Sequence, residues 1–96
     1  MSQKIIESNR VTITGMINSG FTFSHEVYGE KFYYMDLLVK RISDTADTIV
    51  VLISERLIDV NEDYIGEYIT VKGQFRSFNK LEDGRSRLLL YVFVRS

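Results

Sequence analysis

Val11-Thr12-Ile13-Thr14-Gly15 and, far along the chain, Ile69-Thr70-Val71-Lys72-Gly73 follow one pattern. Apolar and polar residues alternate with period two until a glycine is reached. Such alternation describes a strand with one buried and one wet face. A glycine inside or ending the strand marks a bend, a bulge or a close backbone approach. Small closed barrels need these devices where strands turn corners. The pair of stretches therefore predicts two corner strands of one small barrel.

Working outward, Arg10–Gly15 is the first predicted strand, preceded by a short polar arm. Residues 16–31 read as a long connection holding Gly20, Gly29, Phe21, Phe23 and Tyr28. Phe32–Arg41 is the second strand, with Tyr33, Met35, Leu37 and Val39 on one face and Phe32, Tyr34, Asp36, Leu38 and Lys40 on the other. After a turn at Ser43-Asp44-Thr45-Ala46-Asp47, Thr48–Ser54 is a third strand. Its continuous apolar run Ile49–Ile53 implies burial on both faces or in a subunit interface. Ser54 then suits a helix N-cap, Glu55 the positive end of a helix dipole, and Leu57, Val60 and Tyr64 one apolar stripe. Gly66 suits a left-handed helix close. Glu67–Phe78 and Arg87–Val94 are the fourth and fifth strands, joined by Asn79–Ser86 with a turn at Asp83-Gly84. The expected fold is all-β with one short helix: a five-stranded OB-fold barrel, the helix lying between strands 3 and 4, in a single domain over residues 1–96.

The 96 residues are 45% apolar and 26% charged, the make-up of a folded protein, not a disordered one. No apolar run approaches the roughly 20 residues that span a bilayer, and the start offers only Ile5-Ile6, too little for a signal peptide. There is no cysteine, which removes disulfides, thiolate metal sites and cysteine nucleophiles. No membrane partner is expected, and a cytoplasmic location is the simplest reading. Net charge is −1, but its distribution is uneven. Residues 44–67 carry seven acids and one base, Arg56, whereas residues 68–96 carry six bases and two acids, Glu82 and Asp83. A polarised domain of this kind presents one side to an anionic partner.

Asn9-Arg10-Val11-Thr12-Ile13-Thr14-Gly15 resembles the opening strand of bacterial single-stranded DNA-binding proteins, and Tyr68-Ile69-Thr70-Val71-Lys72-Gly73-Gln74-Phe75-Arg76 is similar to that family's fourth strand. Leu57 to Gly66 looks like its helix, and Leu88–Val94 like its last strand. A related family, primosomal replication protein N, is matched about as well. The resemblance implies sequence-independent binding of single-stranded DNA, or of RNA, in replication, repair or recombination, by a homo-dimer or homo-tetramer. The chain departs from the family in having no tryptophan, and in carrying Asp47, Ile49, Val51 and Ile53 where exposed aromatics are usual. It stops at Ser96 directly after the last strand, so the family's acidic recruiting tail is expected to be absent. The other reading is a barrel used for protein interaction and assembly, primosome-like or an accessory protein of a phage or mobile element.

A binder of single strands needs cations tracking the phosphates and flat side chains on which bases stack. Phe32, Tyr34 and Lys40 form one outward candidate set. On the fourth strand Lys72, Arg76 and Phe78 share the parity opposite Ile69, Val71 and Phe75, with Gln74 between them. Lys80, Arg85 and Arg87 follow toward and beyond the Asp83-Gly84 turn, and Arg10 opens the first strand. Each has a plainer alternative: Phe32 and Tyr34 as interface or loop packing, the cations as a solvated strand edge. Asp36, on the face of Tyr34, opposes phosphate unless it pairs with a base such as Lys72. Phe21, Phe23 and Tyr28 either clamp a strand or pack over a barrel end. Catalysis finds no support. The one histidine, His25, has no partner set for a triad or metal, the glycines form no phosphate cradle, and no cofactor, metal or small-molecule substrate is expected.

Overall fold

A computed structural model describes residues 9–96. It contains six strands: β1 (Arg10–Ile17), β2 (Thr22–Val27), β3 (Glu30–Lys40), β4 (Ala46–Ser54), β5 (Tyr68–Glu82) and β6 (Arg85–Val94). The sheet order is β1-β5-β6-β4-β3-β2, and β1 also pairs with β3. Strands β1, β5, β6, β4 and β3 thus close a five-membered ring, as expected, with β2 added outside it. Only β4 and β6 run parallel, meeting at Val51↔Val92 and Leu52↔Phe93. The polar arm expected before Arg10 lies outside the described residues except for Asn9. That residue extends the ladder with its side chain, donating from Nδ2 to the Phe75 carbonyl at 2.9 Å and accepting the Phe75 amide at 2.8 Å.

The two repeated stretches are partners of each other. β1 and β5 pair antiparallel as Val11↔Gly73, Thr12↔Lys72, Ile13↔Val71, Thr14↔Thr70 and Gly15↔Ile69. Both glycines sit where backbone crowds. A Cβ on Gly15 would lie 2.9 Å from the Leu38 carbonyl oxygen, where β1 leaves β5 for β3 at Met16↔Leu38. On Gly73 it would overlap the Phe93 carbonyl, where β6 crosses β5.

The core follows the alternation. Ile13, Ile17, Met35, Leu37, Val51, Ile53, Val71, Val92 and Val94 form one buried cluster, flanked by half-buried Val11, Val39, Ile49 and Ile69. Phe21 packs edge-on against Tyr33 (6.4 Å) and Tyr64 (6.1 Å), closing one end of the barrel. Phe23 packs on Tyr33 at 5.7 Å, whereas Tyr28 is fully exposed at a turn tip. At the β3–β4 turn Arg41 holds both Asp47 oxygens at 2.6 Å. This bidentate bond keeps the Asp47 carboxyl below its usual range and raises the Arg41 guanidinium further.

Three expectations need correction. The first is the helix between strands 3 and 4: among the described residues there is none, and residues 55–67 form successive turns. Ser54 does cap, its Oγ accepting the Arg56 amide at 3.1 Å and its carbonyl the Leu57 amide at 3.0 Å. Propagation then fails because Asp59 and Asp63 take the amides of Asn61 and Ile65 onto their own carboxylates at 3.0 Å. These local side-chain bonds compete with a helix ladder. Gly66 does adopt φ +95°, but its amide donates to Ile17 of β1, so it ties the turn segment to the barrel.

The second correction concerns residues 16–31, which contain a strand, β2. It forms a hairpin with β3 through Tyr28-Gly29, both at positive φ, with a bulge between Phe23 and His25. The third concerns Asn79–Ser86, which is not a loop. β5 and β6 stay paired out to Glu82↔Arg85 and turn at Asp83-Gly84, both at positive φ, the pattern of a type I′ hairpin. The result is a two-stranded ribbon projecting from the barrel.

Candidate functional site

Parity decides what the outside of the barrel presents. Because odd positions of β1, β3, β4 and β5 and even positions of β6 supply the core, the opposite set faces out. That set is Phe32, Tyr34, Asp36, Leu38 and Lys40 on β3, with Val50, Leu52 and Ser54 opposite them on β4. On β5 it is Lys72, Gln74, Arg76, Phe78 and Lys80, with Arg85, Arg87, Leu89, Tyr91 and Phe93 opposite on β6. Arg10, at the start of β1, faces the same way beside Gln74. All ten candidate residues from the sequence therefore have the outward parity, spread over β1, β3, β5 and β6.

At the centre of the outer face these side chains interlock. Phe32 meets Phe93 edge-on at 5.8 Å, Tyr34 meets Tyr91 at 6.1 Å, and Phe78 meets Tyr91 at 5.7 Å. The Arg76 guanidinium lies 4.2 Å from the centre of the Phe93 ring, and that of Arg95 lies 5.2 Å from it. Such cation–π contacts seat an arginine over the ring and leave N–H groups to donate; Arg95 gives one of its own to Gln74 Oε1 at 3.2 Å. Leu52, which points outward between Tyr34 and Phe93, is only 3% exposed, so the aromatic layer has its own apolar floor. Tyr34, Val50, Phe78, Leu89 and Leu90 line a cleft of about 170 Å³ where the ribbon splays from β4.

The cations extend from this centre in two directions. Up the ribbon lie Lys80, Arg87 and Arg85; Lys80 and Arg87 both approach Glu82, at 4.0 and 3.5 Å. Toward β1, Arg10, Lys72 and Arg95 line a hollow of about 360 Å³ with Thr12, Gln74 and backbone, and among the described residues no carboxylate lines it. Arg10, Lys72, Arg76, Arg85 and Arg95 make no ion pair among the described residues. Surface cations left without partners are available to an anion.

Not every candidate joins the centre. Lys40, opposite Ala46, lies six residues from Tyr34 along β3, roughly 20 Å at strand spacing. Asp36 does not pair with Lys72. Lys72 lies beside Thr12 on the far side of the barrel from β3, and Asp36 pairs across to Val50. The surface also holds residues that the sequence reading left out: Tyr91, Phe93, Arg95 and His25. The His25 ring stacks on Phe32 at 4.9 Å and 9°, and its Nδ1 lies 2.9 Å from the Ser24 hydroxyl. The run Leu88–Val94 is apolar on both parities, which hides the outward aromatics. A signal was present in Tyr91, Phe93 and Arg95, which alternate with the buried Val92 and Val94.

Among the described residues, no group of three or more His, Asp or Glu is placed to hold a metal ion, and no helix is long and apolar enough to cross a membrane. No family model matches the chain, and no curated protein sequence does. Solved structures do. The N-terminal domain of the PriB protein from Thermoanaerobacter tencongensis, whose structure is described as dimeric, is 37% identical, with a TM-score of 0.72, covering 93% of this chain and 92% of that one. A Plasmodium falciparum SSB in complex with ssDNA superposes with a TM-score of 0.75 at 12% identity, covering 98% of this chain and 90% of that one. The second likeness is one of fold, the OB barrel. The first, at 37% identity over nearly the whole of both chains, shows that this protein belongs to the family of PriB.

Proposed function

We propose that this chain is a single OB-fold domain that binds single-stranded DNA without strong sequence preference, in replication or a related process. The observation that carries the reading is the interlocked outer layer, in which Arg76 and Arg95 lie on Phe93 among Phe32, Tyr34, Phe78 and Tyr91. Aromatic faces accept any base, and flanking cations track the phosphates. Arg10, Lys72, Arg76 and Arg95 form one arm of the track; Lys80, Arg85 and Arg87 form the other, with Lys40 an outlying contact. Both relatives with solved structures support this, one by its bound single-stranded DNA. The deciding experiment is a salt titration of binding to labelled oligothymidine. Affinity should fall steeply with salt as counterions are retained on the phosphates. Undetectable binding at low salt, or binding insensitive to salt, would overturn the proposal.

A second reading, an assembly module, is favoured by the other side of the ribbon. There Leu81 is 75% exposed, Leu88 and Leu90 are each 63% exposed, and Phe75 joins them. Self-association fits the same surface, and it also fits β1, whose edge opposite β5 is paired only at Met16 and Ile17. An unpaired strand edge is a template for another strand. Mass measurement in solution, with and without oligonucleotide, separates the two: a dimer that persists without DNA and binds it supports both roles.

A further inference from the structure

Next to the aromatic layer lies a pocket of about 420 Å³, lined by Phe32, Phe93, Leu57, Val94, Glu30, Ser54, Arg56 and Arg95. This is room for a nucleobase and its sugar. Two aromatic and two aliphatic side chains give it apolar walls, and Glu30, Ser54, Arg56 and Arg95 give it polar groups that can orient a ligand. Two arginines border it, Arg95 beside Phe93 and Arg56 at 3.8 Å from Glu30 Oε1.

The unexpected group is the Glu30 carboxylate. A negative charge beside a phosphate track opposes binding unless something on the ligand donates to it. Glu30 is held in place by design of the fold: the hydroxyl of Ser54, 5% exposed at the end of β4, donates to its Oε2. An ionised carboxylate offers about four lone-pair sites, so one hydroxyl and one guanidinium leave acceptors to spare. Those acceptors suit a base edge with adjacent donors. Guanine presents N1–H and N2–H2 side by side, matching two carboxylate oxygens. Thymine presents carbonyls on both sides of a single N–H, which a carboxylate repels.

We propose that this pocket is a base-reading site that takes a guanine, with Glu30 accepting from its Watson–Crick edge, Phe32 and Phe93 lining one side of the base, and Arg56 and Arg95 facing its phosphate. The inference rests on the single-strand-binding reading and adds to it one position where an otherwise tolerant track reads base identity.

The test compares a dT12 oligonucleotide with the same oligomer carrying one central guanosine, by fluorescence anisotropy at fixed salt. One bidentate base contact should favour the guanosine oligomer by about tenfold. Glu30→Gln keeps an oxygen acceptor for Ser54 but replaces the other with donors, so the preference ratio should collapse toward one. Equal affinity of the native chain for both oligomers, or a ratio unchanged in Glu30→Gln, overturns the pocket. A second measurement keeps the two proposals apart: dGMP should shift the amide resonances of Ser54 and Phe93, and dTMP should leave them in place. A dGMP response without oligonucleotide binding overturns the DNA track but supports the pocket. Oligonucleotide binding with no dGMP response overturns the pocket alone.

Discussion

β1 and β5 carry the same alternation, pair with each other residue for residue, and do different work. Their inward residues match in kind, Val11, Ile13 and Gly15 on one and Ile69, Val71 and Gly73 on the other. Their outward residues are not. β1 shows Thr12 and Thr14, joined to β5 by a 2.7 Å contact between the Thr14 and Thr70 hydroxyls. β5 shows Lys72, Gln74, Arg76 and Phe78 and runs on into the ribbon. A shared inner face and divergent outer faces mean that the barrel constrains one parity and leaves the other to function. Five variants can break or sharpen that contrast.

The largest effect should come from the two glycines. Gly73→Ala forces a Cβ into the backbone of β6, with the Phe93 carbonyl carbon at 2.8 Å and its oxygen closer still. Backbone in a central ladder has little room to yield, so the loss of stability should exceed about 3 kcal/mol. Gly15→Ala meets the Leu38 carbonyl oxygen at 2.9 Å and the Val39 Cγ2 at 3.0 Å, a far shallower clash that a small shift of the strands can relieve. It should cost about 1–2 kcal/mol. Chemical denaturation monitored by circular dichroism measures both. Equal costs would show that the two corners are equally tight.

Next in size is the charge reversal Lys72→Glu with Arg76→Glu. Both side chains are exposed, so the melting temperature should hold. Affinity for oligothymidine should fall about 100-fold, and the slope of log K against log salt should shrink by about 1.4, two phosphate contacts at roughly 0.7 each. Loss of the oligomer instead of the DNA would place β5 in an assembly interface. Smaller is Phe93→Ala on the strand beside it. Losing one stacking ring and the seat of Arg76 should cost about 1–3 kcal/mol of binding, while the salt slope stays near its native value. A slope that changed as much as in the double reversal would make Phe93 a positioner of cations more than a platform for bases.

What could be seen in the sequence follows the same division. Alternation and glycine placement mark the first, second and fourth barrel strands, because period two is imposed directly by a one-sided core, whereas the third and fifth read from unbroken apolar runs. Outward cations were found because Lys72, Arg76 and Lys80 share a parity that the core excludes. Tyr91 and Phe93 were hidden by the apolar neighbours Leu89 and Leu90, since hydrophobicity alone does not tell a core residue from an exposed ring. The turn segment misled for a different reason. Leu57, Val60 and Tyr64 have helical spacing, and Ile58 and Tyr64 do pack on the core, but Asp59 and Asp63 cap their own turns. β2 escaped notice because it is short, mostly exposed and paired on one edge only, so no core face imprints a period on Thr22–Val27.

The smallest expected effect tests the quiet strand. Thr14→Val keeps the shape and β-branching of the side chain and removes its hydroxyl bond to Thr70. That bond is solvent-exposed, where water replaces a lost partner, so stability should change by no more than about 0.5 kcal/mol. Valine's strand preference offsets part even of that. Affinity for oligothymidine should stay within twofold and the salt slope should not move, because Thr14 lies outside the hollow lined by Arg10, Lys72 and Arg95. A tenfold loss of binding would mean that the strand path continues across β1 past Arg10. The outer face of β1 would then be part of the track, and the contrast between the paired strands would be one of strength only.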